Sequence, residues 1–329
     1  MRATWYEKNG PASEVLQVGI LPDPVPQAGE VRIKLMASGV NPSDVKSRAA
    51  RPLIAPRIIP HSDGAGIIDA IGPGVPGSRL GERVWTWNGQ WKRPFGTAAE
   101  LIALPSSQAI HLPDNTDFSA GACMGIPALT AWHALQLCGD IAGKTILVIG
   151  ASSAVGHYVT QIATRDKDAL VIGTVGSMAK ATHARQAGAS NTINYKQLDV
   201  AQEVLQLTGG RGIDVIIDMD LFTTAPLLGA GCLAQHGTIV SYGSSVMEQV
   251  ALPFREVLFR SLTLKLFVVY ELLPQDREAA CAGVHRLLSA GLLQHTIGAS
   301  FPLSQIVAAH ETVERESGII GNVTIRLDI

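Results

Sequence analysis

The chain is poor in charge and in aromatic rings. Of its 329 residues, 16% are Asp, Glu, Lys or Arg, and 5% are Phe, Trp or Tyr. A net charge of −2 implies no basic surface, so nucleic acid is not expected as a partner. Cysteine is scarce too: four residues, at 123, 138, 232 and 281, too scattered for a paired framework. That spacing argues against a disulfide scaffold and fits a reducing cytoplasm. Residues 119–139 and 221–247 carry no Asp, Glu, Lys or Arg, yet Gly, Ser, Thr, His and Gln interrupt both. Buried core is expected there, not a membrane span. Residues 1–8 have no apolar h-region, so no signal peptide is expected. What abounds is apolar or small, with 47% hydrophobic residues and 33 glycines, and the length suits two domains.

The first third reads as β-structure. Residues 31–37 alternate apolar and polar, and 64–71, 83–87 and 97–104 look like further strands. Gly and Pro crowd the gaps, which suggests a compact barrel-like domain. The texture changes near Asp117, where Asp117 or Ser119 caps a helix expected to run to about 137. Strands at 145–149, 170–174, 213–218 and 238–242 then alternate with helices near 155–165, 178–187, 200–207 and 222–229. Repeated βα units with apolar strands predict a parallel sheet covered on both faces. A further strand at 262–269, a helix at 274–290 and a strand at 322–327 follow, the last expected to return to the first domain. The expected division is 1–118 with 271–329 for one domain, and 119–270 for the other.

The most informative segment runs from Ile146 to Gly156. An apolar strand enters a run of very small residues and then a helical pattern. That is the build of a strand–turn–helix whose N-terminus binds a pyrophosphate. In the G-x-G-x-x-G register the chain reads Ala151, Ser153 and Gly156, so one glycine of three remains. Ser153 can donate to a phosphate, and Gly156 lets the helix pack closely. An ordinary tight turn that binds nothing is the competing reading. The second strand narrows the choice of cofactor. NAD-preferring folds place a carboxylate near its end to accept from the ribose 2′-hydroxyl. Residues 172–180 contain none. With Ser177 and Lys180 present instead, the segment suits NADP(H), unless Lys180 is simply a solvated helix lysine.

A likeness then covers nearly the whole chain. Its pieces are Ser38-Gly39-Val40-Asn41-Pro42-Ser43-Asp44, Pro60-His61-Ser62-Asp63-Gly64, Ala128-Leu129-Thr130-Ala131-Trp132, Ile193-Asn194-Tyr195 and Gly209-Gly210-Arg211-Gly212. In order and spacing they resemble the medium-chain dehydrogenase/reductase superfamily, in its zinc-independent quinone oxidoreductase (zeta-crystallin-like) branch. The resemblance implies an α/β chain with a GroES-like β-barrel domain and a Rossmann doubly wound parallel sheet, NADPH lying in the cleft between. It implies Asn41 by the nicotinamide ribose and Thr130 near the nicotinamide. Ser153, Ala154, Val155 and Gly156 would hold the pyrophosphate. Gly176, Ser177, Lys180 and Tyr195 would surround the adenosine phosphate. Tyr242, Gly243 and Ser244, with Phe267, Val268 and Val269, would line the rest. The family often has glycines where Ser153 and Ala154 stand, and a tyrosine near the position of Pro52.

Zinc-dependent members bind catalytic zinc through Cys, His and Cys. Asn41 occupies the first of these positions and Ser62 the second, beside His61. Cys123, near the third, has no companions, and the four-cysteine structural-zinc lobe is missing, so no metal is expected. What remains is hydride transfer to a quinone or an α,β-unsaturated carbonyl, with positioning as the protein's main task. No residue is a compelling general acid; Tyr6, Tyr242, His61 and His133 are candidates by type alone, His61 as a loop or cleft residue. The leading expectation is an NADPH:quinone oxidoreductase-like enzyme. An enoyl-thioester reductase and a non-catalytic NADPH-binding or structural protein are the alternatives. The resemblance also implies a homodimer, with 262–269 as an edge strand that pairs with its copy, unless Lys265 blocks the pairing.

Overall fold

The computed structural model describes residues 1–315 and 318–327. The chain forms two units. One comprises residues 1–127, 284–291 and 295–329, and the other 128–283 and 292–294.

The second unit is a parallel sheet. Its strands, numbered within the unit, are β1 (Thr145–Val148), β2 (Leu170–Val175), β3 (Asn191–Asn194), β4 (Ile213–Asp218), β5 (Leu233–Ser241) and β6 (Thr263–Leu266). They lie in the order β3-β2-β1-β4-β5-β6, every neighbouring pair parallel. Strand order reverses direction between β1 and β4, the place where such sheets bind ligands at their carboxyl ends. Ile146, Leu147, Val148, Ile216 and Ile217 are fully buried, which is why their runs are apolar without alternation. Helices fill the connections: α1 (Leu129–Leu137) precedes β1, and α2 (Ala154–Arg165), α3 (Met178–Ala187), α4 (Val200–Leu207), α5 (Leu221–Gly229) and α6 (Phe254–Phe259) follow β1 to β5 in turn. Each of α2, α3 and α4 starts with a side-chain cap, Ser153, Ser177 and Asp199 respectively.

The first unit carries a seven-stranded sheet around the long strand Glu30–Val40. That strand pairs antiparallel with Asp63–Ile71, Leu101–Pro105 and Asn322–Arg326. The C-terminal strand does return to the first unit. Ile33, Leu35, Val84, Ile102 and Ile325 meet in its core.

Two expectations change. The helix expected from Asp117 to about 137 is broken into Phe118–Gly121, a wide turn at Met124–Ala128 and α1. Asp117 caps the first piece, accepting from the Ala120 N–H at 2.7 Å. Pro127 lies inside the wide turn, where its missing N–H cannot support a regular ladder. The four-residue strand β3 went unread because its polar ends, Asn191 and Asn194, hide a single buried Ile193.

Gly156 fixes how closely α2 approaches β1. A Cβ there would lie 2.2 Å from the Gly150 carbonyl oxygen, which is backbone and cannot step aside. We expect Gly156→Val to destabilise the protein by about 3 kcal/mol or more. A thermal midpoint unchanged from wild type would refute this account of the turn.

Candidate functional site

In the second unit, the carboxyl ends of the parallel strands gather most of the residues singled out above. The turn after β1 begins at Gly150, whose φ of +70° requires glycine. A Cβ there would also meet the Met219 sulfur at 2.5 Å, but that exposed, flexible side chain can move aside, so the backbone angle is what requires glycine. The left-handed position therefore lies one residue before the fingerprint register read in the sequence. The adjacent strand holds the turn: Gly150 N–H donates to Thr174 Oγ1 at 2.9 Å, and Ala151 N–H to the Thr174 carbonyl at 3.1 Å. Ser153 caps α2, its hydroxyl oxygen accepting from Gly156 N–H at 3.0 Å. The hydroxyl proton remains available to donate outward. The first N–H groups of α2, at Ala154 and Val155, are those a helix leaves without an internal partner. A helix start with such donors and a positive dipole end suits a pyrophosphate.

After β2 comes a second small-residue turn. Ser177 caps α3, accepting from Lys180 N–H at 3.3 Å. Gly176 lies against the end of β3: a Cβ there would be 2.9 Å from the Tyr195 hydroxyl and 3.3 Å from Lys196 Cε. The structure thus brings Gly176, Ser177 and Tyr195 together and adds Lys196, which sequence reading missed. Neither Lys180 nor Lys196 has a carboxylate within ion-pair distance among the described residues. Lys196 beside Gly176, the Ser177 hydroxyl and the absence of a carboxylate in residues 172–180 fit a 2′-phosphate. The signal for Lys196 was present in the Asn-Tyr-Lys triplet but unreadable until β3 was known to lie beside β2.

A buried carboxylate ties the other half of this edge. Asp218, at the end of β4, accepts from Ser241 Oγ and Thr224 Oγ1 at 2.6 Å each and from Asp220 N–H at 3.0 Å. Burial pushes its pKa upward against these donors. Asp220 in turn accepts from the Ser245 N–H at 2.7 Å and hydroxyl at 2.9 Å. The turn Tyr242-Gly243-Ser244 is therefore clamped at both ends. Phe267 follows β6 and packs edge-on to His133, with ring centres 4.8 Å apart. Val268 is exposed, Val269 buried, and Thr130 buried in α1.

In the first unit Asn41 precedes the helix Pro42–Ala50. Its backbone N–H donates to Asp44 at 2.8 Å, and its side-chain amide donates to buried Asp63 at 2.9 Å. Asp63 also accepts from the Ile126 N–H at 3.0 Å. The amide of Asn41 is thus held in one orientation by a carboxylate on the neighbouring strand. At the far end of the helix, Arg51 lies over the Trp91 ring at 4.7 Å, beside a cavity of about 140 Å³ lined by Tyr6, Pro52 and Trp91.

His61 is not a cleft residue. It is fully buried, with φ +77°, in a continuous hydrogen-bonded chain. Thr97 donates to the Asp63 carbonyl at 2.6 Å, so its one proton is committed. Ser38 must then donate to Thr97, at 2.8 Å, and accept from His61 Nδ1–H, at 2.9 Å. That leaves His61 Nε2 as an acceptor, and His310 Nε2–H donates to it at 2.9 Å. The tautomers of both rings follow by elimination.

Comparison with known proteins agrees with both units. Residues 27–114 match the family model of the alcohol dehydrogenase GroES-like domain, and 154–286 that of zinc-binding dehydrogenase. The quinone oxidoreductase of Lama guanicoe is 31% identical over 308 residues, covering 92% of this chain and 91% of that protein. The chain belongs to the medium-chain dehydrogenase/reductase superfamily, in its quinone oxidoreductase branch. It is an oxidoreductase. Among solved structures, an NAD-dependent alcohol dehydrogenase superposes with TM-score 0.87 at 30% identity, covering 100% of each chain. A mycobacterial protein complexed with NADPH gives 0.84 at 26% identity, covering 99% of this chain and 100% of that one.

For a superfamily member the metal-position residues are unusual in what they do. Asn41 spends its amide on Asp63, and Ser62 is buried. Cys123 donates its thiol to the Ser119 carbonyl at 3.3 Å, and burial pushes its pKa up. Among the described residues, no three His, Cys, Asp or Glu side chains stand close enough to share a metal. Near neutral pH the four acid candidates of the sequence reading are all uncharged, the tyrosines protonated and the histidines neutral. Burial pushes the Tyr6 hydroxyl up to about 12, raises that of Tyr242 and lowers His133.

The histidine pair makes a pH prediction. Burial pushes His61 down to about 3 and lowers His310, which His61 and Arg48 disfavour further as a cation. Stability from such neutral histidines is complete above about 6.5, their unfolded value, and is lost as pH falls toward the folded values. Asp44 opposes this: burial pushes it up to about 7, so its contribution is complete below about pH 4 and lost as pH rises to about 7. Between those limits two histidines outweigh one carboxyl by one proton, or about 1.4 kcal/mol per pH unit. We expect His310→Gln, which keeps a donor toward His61, to flatten the acid side of a denaturation-against-pH series by about one proton. An unaltered slope would remove the pair from this role.

Proposed function

We propose that this chain reduces quinones or α,β-unsaturated carbonyls with NADPH, without catalytic zinc, and that it works as a homodimer. One observation carries the reading of the cofactor: Tyr195 and Lys196 lie beside Gly176, next to the Ser177 cap of α3, and residues 172–180 lack the carboxylate that would have selected NADH. Bound there, NADPH supplies a hydride. Ser153 and the α2 N-terminus would hold its pyrophosphate, Thr130 and Asn41 would lie toward its nicotinamide end, and the clamped turn at Tyr242 would line it with Phe267. The mycobacterial relative complexed with NADPH supports the same cofactor.

Independence from zinc rests on the donor set. Zinc favours thiolate and imidazole, and an amide already committed to Asp63 with a buried serine offers neither. Acceptors that need no metal are those in which incoming charge spreads onto a conjugated oxygen. Fixed positioning would then supply most of the acceleration.

The dimer reading rests on β6. It is an edge strand, and Leu266 beside it and Phe254, Leu258 and Phe259 in α6 are exposed. Lys265 does not guard this edge by pointing outward, because its ammonium donates to the Leu137 carbonyl at the end of α1, at 2.7 Å. An apolar edge of this kind is normally covered.

Two measurements test these readings. NADPH oxidation is expected with 9,10-phenanthrenequinone and simple enones, undiminished by chelators and much weaker with crotonyl-CoA. Lys196→Ala should raise the KM for NADPH about tenfold while leaving that for NADH unchanged. Preference for NADH, or one tightly bound zinc per chain, would overturn the proposal. Independently, Leu266→Lys should halve the mass measured by light scattering, and a monomeric wild type would remove the dimer.

A further inference from the structure

A groove in the first unit is lined by none of the candidate site residues named above. Its volume is about 530 Å³, within the range of small-molecule sites. Its floor is core: Ile59 and Ile102 line it and are buried against the sheet. Its rim is apolar and open, with Val25 69% and Phe95 52% exposed. Four charged side chains also line it, and they are not equivalent. Asp23 holds the chain's ammonium terminus at 2.5 Å. Arg57 pairs with Glu7 at 3.1 Å and stacks on Trp5. Glu30 accepts from the Gln27 N–H at 2.9 Å. Arg93 alone is a half-buried cation whose protein contacts are two carbonyls, Asn88 at 3.4 Å and Gly89 at 3.0 Å, both through one nitrogen.

Among the described residues no carboxylate lies within ion-pair distance of Arg93. Burial weakens its hold on its proton, with Glu30 offsetting this only partly. A guanidinium has five N–H donors, and one nitrogen directed at two carbonyls leaves the others unspent. An apolar trough whose wall holds one half-buried cation with donors to spare matches a molecule with an apolar body and a single anionic head. We propose that this groove binds a small amphipathic carboxylate, at a site distinct from the place of reduction. The head lies against Arg93 and the hydrocarbon body runs over Ile59 and Ile102 beneath Phe95.

Octanoate, with octanol as its neutral counterpart, tests this by calorimetry on the full chain saturated with NADPH. The expected result is one saturable octanoate site per chain. Arg93→Ala should weaken octanoate at least tenfold and leave octanol unchanged. Val25→Trp, at an exposed rim position that folding tolerates, should block both by filling the trough. Absence of saturable binding, equal binding by Arg93→Ala, or octanoate acting as a competitor of the reducible substrate would each overturn the proposal. Because the readout is heat of binding, it stands or falls apart from reductase activity.

Discussion

The second unit depends on one close approach, that of the α2 backbone to the Gly150 carbonyl. A helix that begins against its own preceding strand presents its free N–H groups at the sheet's carboxyl edge. Everything placed there assumes that start: the Ser153 cap, the Thr174 bonds that hold the turn, and the Gly176 turn on the next strand. Replacing two fingerprint glycines by alanine and serine costs little, because neither position has the left-handed backbone. Gly150 and Gly156 meet the demands that side chains cannot.

The first unit solves a different problem. It buries Asp63, His61, His310, Ser38 and Thr97 in its interior, where each polar atom must be satisfied by another. The resulting chain of donors and acceptors runs in one direction only. It fixes the tautomer of His61 and ends at the Asp63 main chain. The carboxylate of that same residue orients Asn41. Polar order deep in the sheet thus sets the direction of a side chain on the following helix.

Much of the fold was legible because strands buried on both faces are continuous apolar runs, and the helices between them are not. The 178–187 and 200–207 helices and the 213–218 strand stand where their periodicity put them. Boundaries were lost where tertiary contacts overrode local pattern, as at Pro127 and in the short β3. The site was legible where backbone geometry demands a residue type, as with Gly156 and Ser177. It was illegible where function comes from residues distant in sequence. Lys196 and Asp218 each look like ordinary surface or strand residues until β3 and β5 are laid beside their neighbours. His61 was read as a loop or cleft residue because a histidine between proline and serine resembles a loop, and its partner lies 249 residues away.

The four cysteines share a property with a chemical consequence. All are free. Burial raises the pKa of each, to about 12 for Cys138 and about 11 for Cys232 and Cys281, and higher than usual for Cys123. Quinones and enones are electrophiles that add to thiolates as readily as they accept a hydride. A chain that holds all four sulfurs protonated and buries three of them offers such electrophiles few thiolates to alkylate.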